Sequence, residues 1–109
     1  MKRQQLIKPI KKFLFDVFLM VRLSDLNLID SKDSEYYTLL YVDIQEFSKT
    51  HQLFMLYCMD KISFKALKKC VGSSDRSVYR YLSHQSEIFI NYITTCEQKL
   101  DKLIDGITR

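Results

Sequence analysis

Residues 62–82 contain Ser63, Gly72 and Ser74 at spacings that constrain this segment to two helices joined by a tight turn. Ser63 is a good N-cap for a helix ending at Val71, because a serine hydroxyl accepts a hydrogen bond from an otherwise unpaired N–H of the first turn. Gly72 is expected to take the left-handed backbone conformation that often closes a helix. Ser74 is a second N-cap. The pattern therefore predicts a helix, a three-residue turn and another helix.

The rest of the chain also favours helices, because its 109 residues include only two glycines and one proline. A fold rich in β-strands and tight turns would need more of both. The length predicts a single domain, residues 1–109, with the two-helix segment at about residues 62–83. We expect an all-α fold, a small helical bundle of about five helices.

An apolar helix is predicted near the N-terminus, within residues 3–23. Either it begins near Lys8 with Pro9 in its first turn, or it is kinked at Pro9. Apolar residues lie on nearly every side of it, so we expect burial on more than one side, as happens at an interface with a partner subunit. The apolar run resembles a signal peptide, but Asp16 interrupts it and it is far too short to span a bilayer. These observations favour a cytoplasmic protein with no membrane association.

The first expected break follows this helix. Residues 24–34 are rich in Ser, Asp and Asn, which favour turns and caps over helix interiors. Ser34 is then the expected N-cap of a second helix. Residues 36–42 are rich in β-forming side chains, so a strand is the alternative there.

Two further boundaries are expected downstream. Ser48 is the predicted N-cap of a third helix that runs to about Met59. Asp60 and Lys61 then interrupt the apolar pattern. A last break is expected at residues 83–86, since a serine followed by a glutamate there can begin a new helix.

Basic residues concentrate at the N-terminus and in the two-helix segment. Residues 1–12 carry five basic and no acidic residues, whereas residues 13–59 carry three basic and seven acidic ones. Residues 60–83 carry six basic and two acidic residues, a net charge of +4 that equals the net charge of the whole chain. Positive charge gathered in this way is what contact with phosphate groups uses.

No catalytic or metal-binding pattern accompanies this charge. Cys58, Cys70 and Cys96 form no CxxC pair, and His51 and His84 add no ligand-like spacing. We interpret the cysteines as small apolar packing residues in a reducing compartment. Serine–histidine–aspartate sets, phosphate-binding glycine loops and carboxylate pairs do not stand out either. The sequence therefore predicts neither an enzyme nor a bound cofactor or metal.

Residues 63–67 and 72–82 resemble the helix-turn-helix of bacterial regulators of the sigma-factor region 4 type, and equally that of Mga-type regulators. Similar segments occur in phage late-gene activators. The resemblance says little about residues 1–50. Lys68 stands where these families usually place alanine, and Ser73 stands where they usually place an apolar residue.

The resemblance implies that the second helix enters the major groove of DNA by its N-terminal end. Tyr79 either contacts DNA or packs against a neighbouring helix, and Asp75 serves as a helix-end charge. The inward-facing residues are expected to be Phe64, Leu67, Val71, Val78 and Leu82. The candidate DNA-binding residues are Lys65, Lys69, Ser74, Arg76, Ser77, Tyr79 and Arg80.

These features together predict a transcriptional regulator from a bacterium or a phage that binds double-stranded DNA with sequence selectivity, as a homodimer. The alternative is a protein-binding adaptor. In that case the apolar N-terminal helices would dock on RNA polymerase or on another regulator, and the two-helix segment would be scaffold.

Overall fold

The computed structural model describes the backbone of residues 6–108 and the side chains of residues 6–103. All regular secondary structure in this part of the chain is helical. The helices are α1 (Ile7–Asp25), α2 (Ser31–Thr50), α3 (Gln52–Cys58), α4 (Phe64–Val71) and α5 (Asp75–Thr108). The predicted all-α fold of about five helices is therefore confirmed. The basic residues Lys2 and Arg3, and the earliest start proposed for the first helix, lie outside the described residues.

Helix α1 begins at Ile7, so Pro9 lies in its first turn, where a proline costs no internal hydrogen bond. One side of α1 is buried in the core. The opposite side leaves Phe15 65% and Leu19 45% exposed. The second buried side expected from the sequence, as at an interface with a partner subunit, stays a prediction, because this side is exposed in a single copy of the chain. The buried side consists of Ile10, Leu14 and Val17.

Helix α2 begins one turn earlier than predicted. Its N-cap is Asp30, whose carboxylate accepts a hydrogen bond from the Asp33 N–H at 2.8 Å. Ser34 lies inside the helix, where its hydroxyl pairs with that of Ser24 in α1. Asp30 provides the same kind of oxygen acceptor as a serine and adds a turn of helical hydrogen bonds, so the earlier start is favoured. Residues 36–42 are helical, and the strand alternative is wrong.

The boundary between α2 and α3 lies at His51 rather than at Ser48. Ser48 is a half-buried residue inside α2 and does not cap a helix. The His51 ring stacks on the Phe47 ring with centroids 4.0 Å apart, and the His51 N–H donates to the Phe47 carbonyl. Packing of this ring therefore sets the break that residue propensity alone assigned to Ser48.

Helices α2 and α5 pack side by side in opposite directions. Phe47 contacts Phe89 with ring centroids 5.2 Å apart. The Tyr92 hydroxyl donates to the Asp43 carbonyl at 2.8 Å, which connects the next turns of the two helices. Helix α1 closes the bundle through Phe13, whose ring meets that of Phe89 edge-on with centroids 6.2 Å apart. The hydrophobic core thus lies between α1, α2 and α5, and α3 adds Phe54, Met55 and Cys58 to it.

Helix α5 is one unbroken helix of 34 residues, so the predicted break at residues 83–86 is wrong. Ser83 is 8% exposed and Ser86 is 0% exposed, so both face the core. Serine favours helix ends because its hydroxyl competes for backbone groups. Tertiary packing of this side of α5 overrides that local preference.

The three cysteines are unpaired. Cys58 and Cys96 are buried, as expected for packing residues, whereas Cys70 on α4 is exposed and does not serve that purpose. Burial raises the pKa of the Cys58 thiol to about 12. Cys58 therefore stays a neutral thiol inside the core at ordinary pH.

Candidate nucleic-acid interface

Helix α4 has the boundaries that its caps predict. The Ser63 hydroxyl accepts a hydrogen bond from the Ala66 N–H at 3.1 Å, which closes the first turn. The last turn ends where the Gly72 N–H donates to the Lys68 carbonyl at 3.0 Å. Both ends of this short helix are thus satisfied by residues that lie within the segment itself.

Gly72 does not adopt the predicted left-handed conformation. Its φ of 174° and ψ of 177° describe an extended backbone that any residue adopts. The expectation about φ was therefore wrong. A Cβ atom at this position would lie 3.0 Å from the Cβ of Ser77, so a larger residue would have to displace Ser77 by a few tenths of an ångström.

The start of α5 is capped as predicted. The Ser74 hydroxyl accepts from the Ser77 N–H at 3.2 Å, and the two serine hydroxyls lie 3.0 Å apart. Asp75 occupies the first turn and forms an ion pair with Lys68 of α4, with Nζ and Oδ1 2.9 Å apart. Lys68 therefore does not crowd the two helices, because its stem extends to the surface and its ammonium group spans the turn.

The inner side of α4 and α5 forms a small apolar contact. Leu67 and Val78 are fully buried and Leu82 is 3% exposed. Phe64 and Val71 are half-buried against the same core. These residues fix α4 against the first turns of α5, so the direction of the outer side of α5 is set by packing.

The outer side carries most of the candidate residues. Lys65 and Lys69 on α4 and Arg76 and Arg80 on α5 are exposed, and none forms an ion pair with any residue whose side chain is described. These four cations are available to negative charge in solution. The N-terminal end of α5 adds the positive end of its helix dipole.

The other three candidates have structural roles at this end of α5. Ser74 is the N-cap, and Ser77 is half-buried beneath Gly72. Tyr79 is 38% exposed, and its ring packs against that of Phe64 with centroids 5.3 Å apart. Packing of Tyr79 against the neighbouring helix, one of the two alternatives from the sequence, is therefore present, while part of its ring still reaches solvent.

Sequence reasoning missed one residue of this surface. Arg76, Arg80 and His84 recur every four residues on the unbroken α5, and all three are exposed. They line a surface groove of about 760 Å³ together with Tyr81 and Glu87. The four-residue spacing is visible in the sequence, but the break predicted at residues 83–86 placed His84 in a turn and separated it from the arginines.

Comparisons of the chain with protein-family models, with curated proteins and with solved structures found no match. Among the described residues, no group of three or more metal-ligating side chains comes together. In that same part of the chain, no helix combines the length and the apolar character needed to cross a membrane. The candidate interface is therefore defined by its geometry alone. Two capped helices meet at a three-residue turn and present a cationic outer side.

Proposed function

We propose that α4, the turn and the first turns of α5 form a helix-turn-helix that binds double-stranded DNA with sequence selectivity and regulates transcription. The observation that carries this proposal is the division of the segment into two sides. The inner side is apolar and buried at Leu67, Val78 and Leu82. The outer side carries cations that form no ion pair within the described part of the chain.

The residues of the outer side have distinct proposed roles. Arg76 and Arg80 lie one turn apart near the N-terminal end of α5, where a recognition helix meets base edges, and a guanidinium donates two hydrogen bonds to guanine. Lys65 and Lys69 lie on α4, the helix that crosses the backbone in this kind of complex, so they contact phosphates. Tyr79 adds a contact from the exposed part of its ring.

A binding titration tests the proposal. Duplex affinity of the wild-type chain is expected to fall steeply as salt increases, because cations that neutralise phosphates release counterions. Replacing Arg80 with alanine should weaken binding to a selected site by about 1–3 kcal/mol. Arg22→Ala on α1 is the matched control, since it removes an exposed arginine from another helix.

Two results of this titration would overturn the proposal. One is duplex affinity that does not depend on salt. The other is an Arg80→Ala variant that binds the selected site as well as the Arg22→Ala control does.

We also propose that the regulator is a homodimer, which would place two such segments on two half-sites of DNA. The exposed apolar residues of the N-terminal region support an interface there. Phe15 and Leu19 on α1 are 65% and 45% exposed, and Leu26 just beyond the helix is 58% exposed. Phe15 and Leu19 are four residues apart and therefore lie on the same side of α1.

The same apolar side favours a second candidate function, the protein-binding adaptor that docks on RNA polymerase or another regulator. Light scattering after size exclusion, run beside a DNA-shift assay, separates the two. A wild-type mass twice the 13.0 kDa of one chain, reduced to one chain by Phe15→Glu with Leu19→Glu, supports the homodimer. A monomer without DNA affinity supports the adaptor.

A further inference from the structure

The length and continuity of α5 limit how this segment approaches DNA. At about 1.5 Å per residue its 34 residues extend over roughly 51 Å, close to the 53 Å long axis of the molecule. The major groove of DNA is only about 12 Å wide and about 8.5 Å deep. Farther along α5, Phe89 and Ile93 are buried in the bundle core. In the proposed complex the N-terminal turns of α5 enter the groove, and the rest of the helix leads away from the duplex.

In this approach Arg76, Arg80 and His84 lie at increasing distances from the floor of the major groove. Arg76 lies in the first turn, at the level of the base edges. His84 lies eight residues farther along the same side, which is about 12 Å along the helix axis. That separation exceeds the depth of the groove, which is about 8.5 Å. When α5 enters the groove end-on in this way, His84 comes to the level of the phosphates that line the rim of the groove.

Resting on the proposed DNA-binding function, we propose that His84 is a further DNA contact, whose imidazolium form donates a hydrogen bond to a backbone phosphate at the rim of the major groove. Imidazole side chains change charge between about pH 5 and pH 8. The contact is charge-assisted only when the ring is protonated. DNA affinity therefore acquires a dependence on pH that the arginines and lysines do not provide.

Charged groups of α5 line the groove beside His84. They are Arg80 one turn before, Arg76 two turns before and Glu87 in the following turn. The hydroxyls of Tyr79 and Tyr81 also line the groove, and burial raises the pKa of Tyr81. Helix α4 contributes Val71, which is uncharged. A phosphate adds negative charge, so binding takes up a proton and affinity rises as the pH falls.

The test compares duplex affinity at about pH 7.5 and at about pH 5.5, at constant ionic strength, by fluorescence anisotropy with a short labelled duplex. The wild-type chain should bind about threefold to tenfold more tightly at the lower pH. His84→Ala should lose this gain. His84→Lys should bind at least as tightly as the wild type at the higher pH and show no gain at the lower pH.

His51 provides the matched control, because it is the other histidine of the chain and lies between α2 and α3. Its ring stacks on Phe47, and its Nδ1 lies 2.9 Å from the Thr50 hydroxyl. His51→Gln should retain the wild-type pH dependence, with folding of every variant checked by circular dichroism. A His84→Ala variant that keeps the full gain at low pH overturns the inference and leaves the proposed function standing. A wild-type chain with no salt-dependent DNA affinity at either pH overturns both.

Discussion

The bundle of α1, α2, α3 and α5 and the segment made by α4 and the start of α5 are held together in different ways. The bundle depends on large buried rings, with Phe89 contacting Phe13, Phe47 and Phe54. The segment has only a few buried side chains and depends on hydrogen-bonded caps at Ser63 and Ser74. Burial of an aromatic ring contributes several times the free energy of a cap.

The difference shows how a small chain can keep cations on its surface without unfolding. Most of the buried side chains lie in the bundle, so we expect most of the unfolding free energy to come from there. The outer side of the segment is therefore free to carry Arg76 and Arg80 without partners among the described residues. Substitutions in the two regions should consequently affect different measurements.

Phe89→Ala should produce the largest effect. Removing a buried ring that contacts three other phenylalanines leaves a cavity, and we expect the free energy of unfolding to fall by about 3–5 kcal/mol. Urea denaturation followed by circular dichroism measures it. Val42→Ala, at a residue of α2 that is 50% exposed, is the control and should change stability little. A loss for Phe89→Ala no greater than that of the control would contradict the assignment of stability to the bundle.

Alkaline pH should destabilise the bundle next most strongly. Burial raises the pKa of Cys58 from 9.0 to about 12, and chiefly burial raises that of Tyr92 from 10.0 to about 12. Because the folded chain holds these protons more tightly than the unfolded chain, their contribution is complete below pH 9.0 and decreases as the pH rises toward about 12.

Urea denaturation at a series of pH values measures this decrease. For Cys58 alone, the linkage relation gives a loss of about 1 kcal/mol between pH 8 and pH 10. Cys58→Ala should show a shallower decrease than the wild type over this interval, although its stability is lower throughout. Equal decreases in the two proteins would contradict the attribution to Cys58.

Ser74→Ala should lower the free energy of unfolding by about 1 kcal/mol, because it removes the acceptor for the Ser77 N–H at the start of α5. Ser73→Ala, at the exposed neighbouring residue, is the matched control. Hydrogen exchange at the first amides of α5 should increase more than exchange at the amides of the bundle, since the cap is local. Uniform acceleration along the whole of α5 would show that the segment and the bundle unfold together.

Ser86→Ala should have the smallest effect and the opposite sign. The Ser86 hydroxyl is fully buried and forms no hydrogen bond in the described structure. Replacing it with a methyl group removes an unsatisfied polar atom and improves helix propensity, so we expect a gain of about 0.5–1 kcal/mol in urea denaturation. A loss of stability would show that the hydroxyl has a partner that stabilises the middle of α5.

Predictions from the sequence were correct where the interactions join residues close together in the chain, and less so where they depend on tertiary packing. The ends of α4 and the start of α5 were predicted correctly because Ser63 and Ser74 bond to amides within three residues of themselves. The N-cap expected at Ser34 was wrong because Asp30, closer to the preceding loop, offered an equivalent oxygen. The cap expected at Ser48 was wrong because the ring of His51 packs on Phe47.

The sequence predicted part of the candidate interface. Arg76 and Arg80 were placed on the outer side of α5 from their spacing relative to Val78 and Leu82, and the structure places them there. His84 was missed, since its side of the helix is defined only if α5 continues through residues 83–86. Continuity there depends on contacts with other helices.

The sequence by itself determined that this chain is helical and that residues 62–82 form two capped helices around a short turn. Those features depend on backbone hydrogen bonds between residues close in the chain. Only the tertiary structure decided that α5 is a single helix of 34 residues, with Ser83 and Ser86 inside the core. The physical reason is that burial in the core outweighs the preference of serine for helix ends. Contacts between residues distant in the chain cannot be inferred from a local sequence pattern.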